Sequence, residues 1–570
     1  MQLSPAIDRW IVPERDASAE AQLISELGVP SLLAAVLVRR GLREPAEADD
    51  FLNPSLDDLS PPDLLPDYAA AREALLGARE RNELVFVHGD YDVDGVTSAT
   101  IFARFLGKVG FQVKAHVPHR LREGYGIHLS AVQDASDSGA KLFLTCDCGG
   151  SAHEQVERAN ELGLRVVVTD HHEVGETLPA AEAVVNPHRR DSAYPFAELS
   201  GAGVAFRLCE GLARELGHDV SQFRRAYLDL AALGTIADVM PLVGENRILA
   251  KFGLQALGVT KKAGLIALKR IAELHGAVTA YHVGFVLGPR LNAAGRIDDA
   301  ALALQLLLEN DGTAAAELAI RIEDINTRRR EEQERTVLDA IERVESEGLG
   351  EAPVIVLAAS GWHPGVIGIV AGRLVERFSR PAFVFTIEPE TGVHKGSGRS
   401  IPKFHLADAL NAHRSLILSG GGHQMAAGCT VTAEAFPALR EALVAYAGEL
   451  LSPEDLRPMS EADAVLEPGE ATLEAVETLR LLEPFGVANP EPTFVAREVR
   501  LVAIKPTKNP KVAQLSLRQG DGPTTGGVAF EGEALMEEKP AMCDLLFKAR
   551  IDEFRGASSV KWHVRDFEPV

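Results

Sequence analysis

Between residues 84 and 172, three short apolar runs each end in acids or in acids with histidines: LVFVHGDYDVDG (84–95), KLFLTCD (141–147) and VVVTDHH (166–172). Runs of this length, rich in β-branched residues and separated by amphipathic stretches, read as buried strands of a mainly parallel sheet covered by helices. In open sheets of that kind the loops at the carboxyl ends of the strands converge on one crevice. Clusters repeated at those ends should therefore meet in space. The same feature fixes an α/β architecture and the place where its chemistry sits.

The first cluster sets His88, Asp90, Asp92 and Asp94 within seven positions. Carboxylates packed so closely repel one another and destabilise a fold unless cations neutralise them. Helix capping is the competing account of Asp94 and the glycine after it, but a cap needs one acid rather than three and a histidine. Asp147 on its own is as readily a turn former as a ligand. Asp170, His171 and His172 suit a metal site, with a carboxylate beside the imidazoles to orient them, although single histidines are more often core residues. Asp238, in GTIADVMPL, ends an apolar helical stretch where a buried acid needs a reason. Cys146 and Cys148 are the only close cysteine pair. With no second pair they read as structural thiols rather than zinc ligands, and five scattered cysteines fit reduced thiols better than a disulfide framework. No G-x-S-x-G elbow and no P-loop competes for the chemistry.

At 570 residues the chain divides into several domains. Residues 1–70 read as a partly helical N-terminal segment ending in the proline-rich LSPPDLLPD linker. The α/β pattern fills 71–300. Residues 315–347 lack glycine and proline and keep helical apolar spacing with mixed charge, so 301–350 reads as a solvated connecting helix. A second, smaller α/β segment follows at 351–452, and short β-rich runs over 453–570 point to a barrel or sandwich. There is no apolar run of membrane-spanning length, and Asp8, Arg9 and Arg15 interrupt any signal peptide, so a cytoplasmic protein without membrane contact is expected. A net charge of −24 argues against a generic nucleic-acid binder. Locally, however, residues 497–518 carry six cations (Arg497, Arg500, Lys505, Lys508, Lys511, Arg518) against Glu498 alone. The loop PHRLREGYGIH offers Arg120, Arg122 and Tyr125 either as a phosphate contact beside a base-stacking ring or as ordinary surface arginines and a turn tyrosine.

DYDVDG, then Asp147, then DHH, then GTIADV together resemble the DHH phosphoesterase superfamily over about residues 80–245. GPRLNAAGRI, GWHPGVIGIVAGRL, GSGRS, GGGHQMAAG and LEPFGVANPEPTF resemble its RecJ branch. The resemblance implies a DHH catalytic domain at 71–300, a DHHA1-like substrate-binding domain at 351–452 and an OB-fold-like nucleic-acid-binding domain at 453–570. It implies a metal-dependent exodeoxyribonuclease acting 5′ to 3′ on single-stranded DNA and releasing 5′-mononucleotides in repair and recombination. Its cofactors would be two divalent cations, Mn2+ or Mg2+, which suit mixed oxygen and imidazole ligands. One would be held by His88, Asp92 and Asp147, the other by Asp94, Asp147, His171 and Asp238, with Asp90, Asp170 and His172 flanking them. Arg120 and Tyr125 would contact DNA, while Arg290, Ser397 and Arg399, joined by Arg296, would take the 5′ phosphate. Gly420, Gly421, Gly422 and His423 form either a phosphate-accessible backbone or simply a tight turn. Cys148 stands where the family pattern leads us to expect a polar residue. A single-strand-binding protein and a helicase are the further partners the resemblance implies. The rival readings are a DHH-family phosphoesterase of oligoribonucleotides or small nucleotides, and a non-catalytic replication scaffold on the same fold.

Overall fold

The computed structural model describes residues 10–570 apart from 13, 121, 458, 531 and 555. Asp8 and Arg9, which bear on a leader segment, lie outside the described residues. A two-residue strand, β1 (Trp10–Ile11), precedes helices Ala17–Leu27, Ser31–Arg39 and Pro45–Leu52. The first sheet comprises β2 (Leu84–Gly89), β3 (Gln112–His116), β4 (Leu142–Cys146), β5 (Arg165–Thr169) and β6 (Ala183–Val185). All pairings are parallel, in the order β3-β2-β4-β5-β6. The chain runs outward from β2 to β3 and then returns to the other side of β2, so the connections diverge between β2 and β4. Their carboxyl ends lie side by side, with Gly89 opposite Cys146, and this switch point is where such sheets open a crevice.

One face of the sheet carries the main core, in which helices Val93–Lys108, Gly201–Glu215 and Val220–Ala237 pack together. The other face is thinner: helices Leu129–Asp137 and His153–Glu161 cover Phe86, Phe143 and Val166. The main core continues through helix Ala301–Leu308 to Ile325, so a boundary at 300 falls inside it. The connecting helix, Gly312–Ser346, is likewise more than a solvated rod. Ala315, Ala319, Ile322 and Ile325 pack into the first domain, and Ala340 and Val344 into the second. Within each group the spacing is three or four residues, which puts its members on one helical face.

The second sheet comprises β7 (Ile355–Ser360), β8 (Ala382–Ile387), β9 (His394–Arg399), β10 (Ser419–Gly422) and β11 (Ala426–Val431), in the order β10-β11-β9-β8-β7. Only β7 and β8 pair in parallel. Strand β12 (Ser460–Glu461) pairs with β1 in a separate two-stranded sheet, and the third large sheet comprises β13 (Ala464–Leu466), β14 (Phe494–Pro506), β15 (Ala513–Gln519), β16 (Thr525–Ala529), β17 (Met542–Phe554) and β18 (Ala557–Pro569). Strands β14-β15-β16-β18-β17 run in sequence around a ring that the β14–β17 pairing closes, which leaves the barrel no free edge.

The N-terminal segment belongs to this barrel. Leu32, Leu33, Val36 and Leu37 share a core with Phe494, Phe547 and Trp562. Strand β1 pairs with β12, and Trp10 Nε1 donates to Asp566 at 2.9 Å. LSPPDLLPD is therefore not a free linker: Leu59 and Leu65, on either side of the Pro61-Pro62 pair, are buried, and Glu245 accepts the Ser60 N–H at 3.1 Å. Among the described residues no helix is long and apolar enough to cross a membrane.

Candidate metal centre

Four chain reversals deliver the acids to the crevice. Asp92, after β2, caps helix Val93–Lys108 by accepting from the N–H groups of Asp94 (2.9 Å) and Gly95 (3.1 Å). Asp94, in that helix's first turn, accepts from Gly201 N (2.6 Å) and Ala202 N (2.9 Å) at the start of helix Gly201–Glu215. A β-carbon on Gly201 would lie 2.7 Å from that of Asp147, so only glycine lets this helix end approach. Asp147 directly follows β4 with φ +63°, which turns the chain out of the strand. Cys146 and Cys148 are both buried beside it, and Cys148 Sγ reaches the Cys146 carbonyl at 3.6 Å. Asp238 is the C-cap of helix Val220–Ala237.

Ligand-capable atoms gather in three overlapping groups, each within 4.8 Å: Asp90, Asp92 and Asp147; Asp94, His171 and Asp238; and Asp147, His171 and His172. His171 Nε2 lies 3.0 Å from Asp147 Oδ1, 3.6 Å from Asp238 Oδ2 and 3.7 Å from Asp94 Oδ2. Yet Asp147 Oδ1 and His171 Nε2 are both buried without a hydrogen-bond partner. Buried polar atoms are nearly always satisfied, so two orphans facing one another among carboxylates fit a cation between them. The backbone of Leu199 hydrogen-bonds the imidazole of His171, which leaves Nε2 free to serve as a lone-pair donor. Burial and then His172 hold His171 at a pKa of about 3, so the ring is neutral.

Electrostatics agree with the orphaned atoms. Burial, then the charge of Asp92, pushes Asp94 up to about 7. Asp90, Asp147 and Asp238 are raised well above the usual carboxylate range by burial and then by neighbouring aspartates. Asp170 differs. Burial opposes its ionisation, but the His172 hydrogen bond and charge outweigh this and lower its pKa. Its Oδ2 accepts from Gly150 N at 2.7 Å and its Oδ1 faces His172 Nδ1 at 2.8 Å. Burial works against a charged His172 too, but Asp170 prevails and raises it.

His88 is not brought into any of these groups. It is still within β2, stacked on Phe143 at 5.6 Å, with Nδ1 3.0 Å from His116 Nδ1 and Nε2 3.3 Å from the Gly126 carbonyl. Burial, then His116, holds it at about 3. The residue whose carboxylate gathers with those of Asp92 and Asp147 is Asp90, just beyond the end of the strand.

Across the crevice, Arg120 lies over the Tyr91 ring at 4.8 Å. Arg296 is half-buried, and its pKa falls to about 9 through desolvation and then the charges of Arg120, Arg329 and Arg399. Arg399 donates to its neighbouring Gly398 carbonyl at 2.8 Å, with Ser397 Oγ 3.4 Å away. Gly428 pairs with Ser397 on one side and Gly421 on the other, which leaves Ser397 as the one side chain across that strip of sheet. Gly422 has φ +145°, and Gly420, Gly421, Gly422 and His423 are exposed in this hairpin. Arg290 is committed elsewhere: Nε and NH2 grip Glu323 at 2.6 and 3.1 Å, and NH1 donates to the Val286 carbonyl. The hydroxyl of Tyr125 meets His172 Nδ1 at 3.0 Å, while the residue as a whole stays 52% exposed. Arg329 of the long helix escapes a reading of the sequence. Its signal is polar residues, Asn326, Arg329 and Thr336, on the stripe that Ile322 and Ala340 make apolar. The two α/β domains touch at Gly365, where a β-carbon would fall 2.0 Å from the Arg296 carbonyl.

Comparison with known proteins adds to this geometry. The DHH family N-terminal domain matches residues 84–235, the DHHA1 domain 351–449 and the RecJ OB domain 462–566. The single-stranded-DNA-specific exonuclease RecJ of Dickeya dadantii (strain 3937) is 38% identical over 576 residues, 98% of this chain and 99% of the relative. Its namesake in Bacillus subtilis (strain 168) is 40% identical over 498 residues, 87% of this chain but only 62% of that longer relative. The crystal structure of RecJ in complex with Mn2+ from Thermus thermophilus has a TM-score of 0.84 at 30% identity, covering 99% of this chain and 79% of that one.

Proposed function

The chain belongs to the RecJ family of single-stranded-DNA-specific exonucleases, and on that footing we propose that it hydrolyses single-stranded DNA from the 5′ end, releasing 5′-mononucleotides in repair and recombination. The facing orphans, Asp147 Oδ1 and His171 Nε2, inside a carboxylate cluster at the switch point carry the metal-dependent part of this reading. Asp90, Asp92 and Asp147 would hold one Mn2+ or Mg2+ ion, and Asp94, Asp147, His171 and Asp238 the other. Such a pair, when bound, supplies an acidified water in line with the phosphodiester and neutralises charge on the attacking and leaving oxygens.

The chain's own residues do the rest. Asp92 and Asp94 are fixed by backbone N–H groups before any ion arrives, so little reorganisation is left for binding. His172 is held by Asp170 and partly open at the rim, where its side chain is 35% exposed. Asp170 raises its pKa, which favours an imidazole that donates to a phosphate oxygen. Arg120, Arg296 and Arg399, with Ser397, receive the 5′ phosphate: they share a region in which desolvation and then arginine charge depress Arg296, and a bound phosphate would relieve that repulsion. The cations of residues 497–518 carry the trailing strand. A cytoplasmic setting, with a helicase and a single-strand-binding protein preparing the substrate, completes the reading.

The test is digestion of a long single strand labelled separately at each end, in Mn2+, Mg2+ or EDTA, beside RNA and duplex. Metal-dependent release of the 5′ label as mononucleotide, with duplex spared, is the expected result. Cleavage of dinucleotides alone would point to a small-substrate phosphoesterase, and no hydrolysis at all to a scaffold.

A further inference from the structure

Thr145 in β4 and Thr169 at the end of β5 are buried in strands otherwise filled by leucine and valine. A valine would fill either place with the same shape, and a buried hydroxyl costs stability unless it is hydrogen-bonded. The regular pairing of β4 with β5 stops at Leu144 and Val167. Beyond it, Thr169 Oγ1 donates to the Thr145 carbonyl at 2.8 Å. Thr145 Oγ1 in turn donates to the Cys148 carbonyl at 2.7 Å. Gly149 leaves room for this bond, since a β-carbon there would lie 3.0 Å from Thr145 Oγ1. The two accepting carbonyls bracket Asp147, whose φ of +63° is one that a residue other than glycine keeps only where its surroundings impose it. The first donor directly precedes Asp170 and His171.

We propose that Thr145 and Thr169 are positioning residues for the metal centre: their hydroxyls join the histidine loop to the Asp147 turn in one chain of hydrogen bonds, and so fix the 3.0 Å separation of His171 Nε2 from Asp147 Oδ1. The inference rests on the reading of those two side chains as metal ligands. They come from different strands, so their separation is set by whatever ties the two loops together. The Gly150 N–H, which meets Asp170 Oδ2 at 2.7 Å, ties them a second time. Losing one hydroxyl therefore loosens the junction without severing it. Packing alone would be served by valine; the hydroxyls hold the site in order before an ion arrives.

The experiment uses the full chain. Thr145→Val and Thr169→Val remove the hydroxyls and keep the shape, while Thr145→Ser and Thr169→Ser keep the hydroxyls. Thr100→Val controls for the chemical change itself: Thr100 is equally buried, and its hydroxyl bonds the Val96 carbonyl at 2.7 Å within helix Val93–Lys108. Each protein is titrated with Mn2+, its melting temperature is taken in EDTA, and kcat and KM are measured on a long single strand. Mn2+ affinity should fall about 10- to 100-fold in each valine variant, the range that loss of a partner behind a metal ligand produces. Turnover should fall with it, while KM holds because Arg120, Arg296 and Arg399 are untouched. The serine variants should recover both, and Thr100→Val should match wild type. Wild-type Mn2+ affinity in the valine variants, serine variants as impaired as the valine ones, or valine variants that do not fold would each assign the threonines to the fold alone and overturn the proposal. A wild type that binds Mn2+ yet digests no single strand fails the nuclease reading instead, and the Mn2+ titration still decides the positioning role.

Discussion

Asp147 and His88 separate two accounts of the first metal position. Because Asp147 would serve both ions, Asp147→Ala should lower turnover by well over about 100-fold, beyond what losing an outer-shell partner costs. His88 faces His116 and Gly126, so His88→Ala should cost at most about 10- to 100-fold while Mn2+ affinity, followed by titration, barely moves. Loss of Mn2+ binding in that variant would return His88 to the ligand set. Arginines divide in the same way. Arg399→Ala should cut the preference for a phosphorylated over a hydroxyl 5′ end by roughly 10- to 100-fold, as loss of a charged hydrogen bond predicts. Arg290→Ala breaks the Glu323 pair and should lower the melting temperature with that preference kept. The sequence made the acids legible because unusual residues crowd at strand ends. It could not show that Asp90 rather than His88 gathers with Asp92 and Asp147, since that depends on where β2 stops relative to His116, nor that Glu323 pairs with Arg290, a contact across two helices.

At the scale of elements, the strand ends are what a cation stabilises. In the metal-free fold Asp94 is raised from 3.8 to about 7. A raised acid keeps its full contribution below its unfolded value and loses it as pH rises through the folded one. The metal-free protein therefore weakens across that window, by an amount of the order of a few kcal/mol for the coupled cluster. Thermal midpoints in EDTA and in Mn2+ should diverge between about pH 5 and about pH 8, the gap widening with pH. A gap that does not change with pH would mean that the acids are neutralised by something other than the ion. The strands and helices themselves were readable because period and length identify each locally. The long helix was only half read: its apolar spacing declared a helix, but which two cores the stripe enters is set by elements distant in the chain.

For the whole molecule, the N-terminal helices complete the C-terminal barrel. No local pattern announces this, since β1 and β12 are two residues long and pair Trp10 with Ser460. Arg247 ties the assembly together. It is buried, stacks on Phe51 at 3.8 Å, and donates to the carbonyls of Phe51, Leu481 and Leu482 at 2.8–2.9 Å. Removing 460–570 alone would strip the cover from Leu32, Leu33, Val36 and Leu37 and leave an apolar face that favours aggregation. Removing 1–58 together with 460–570 takes away both halves of that core. The doubly trimmed chain should stay monodisperse by size exclusion and still hydrolyse short oligonucleotides with Mn2+. Its affinity for long strands should fall and lose salt dependence, because the cations of 497–518 go with the barrel. If the singly trimmed protein proved equally monodisperse, the shared core would not be what joins the two ends of the chain. If the doubly trimmed one kept the full salt slope, the barrel would not be where the trailing strand is held.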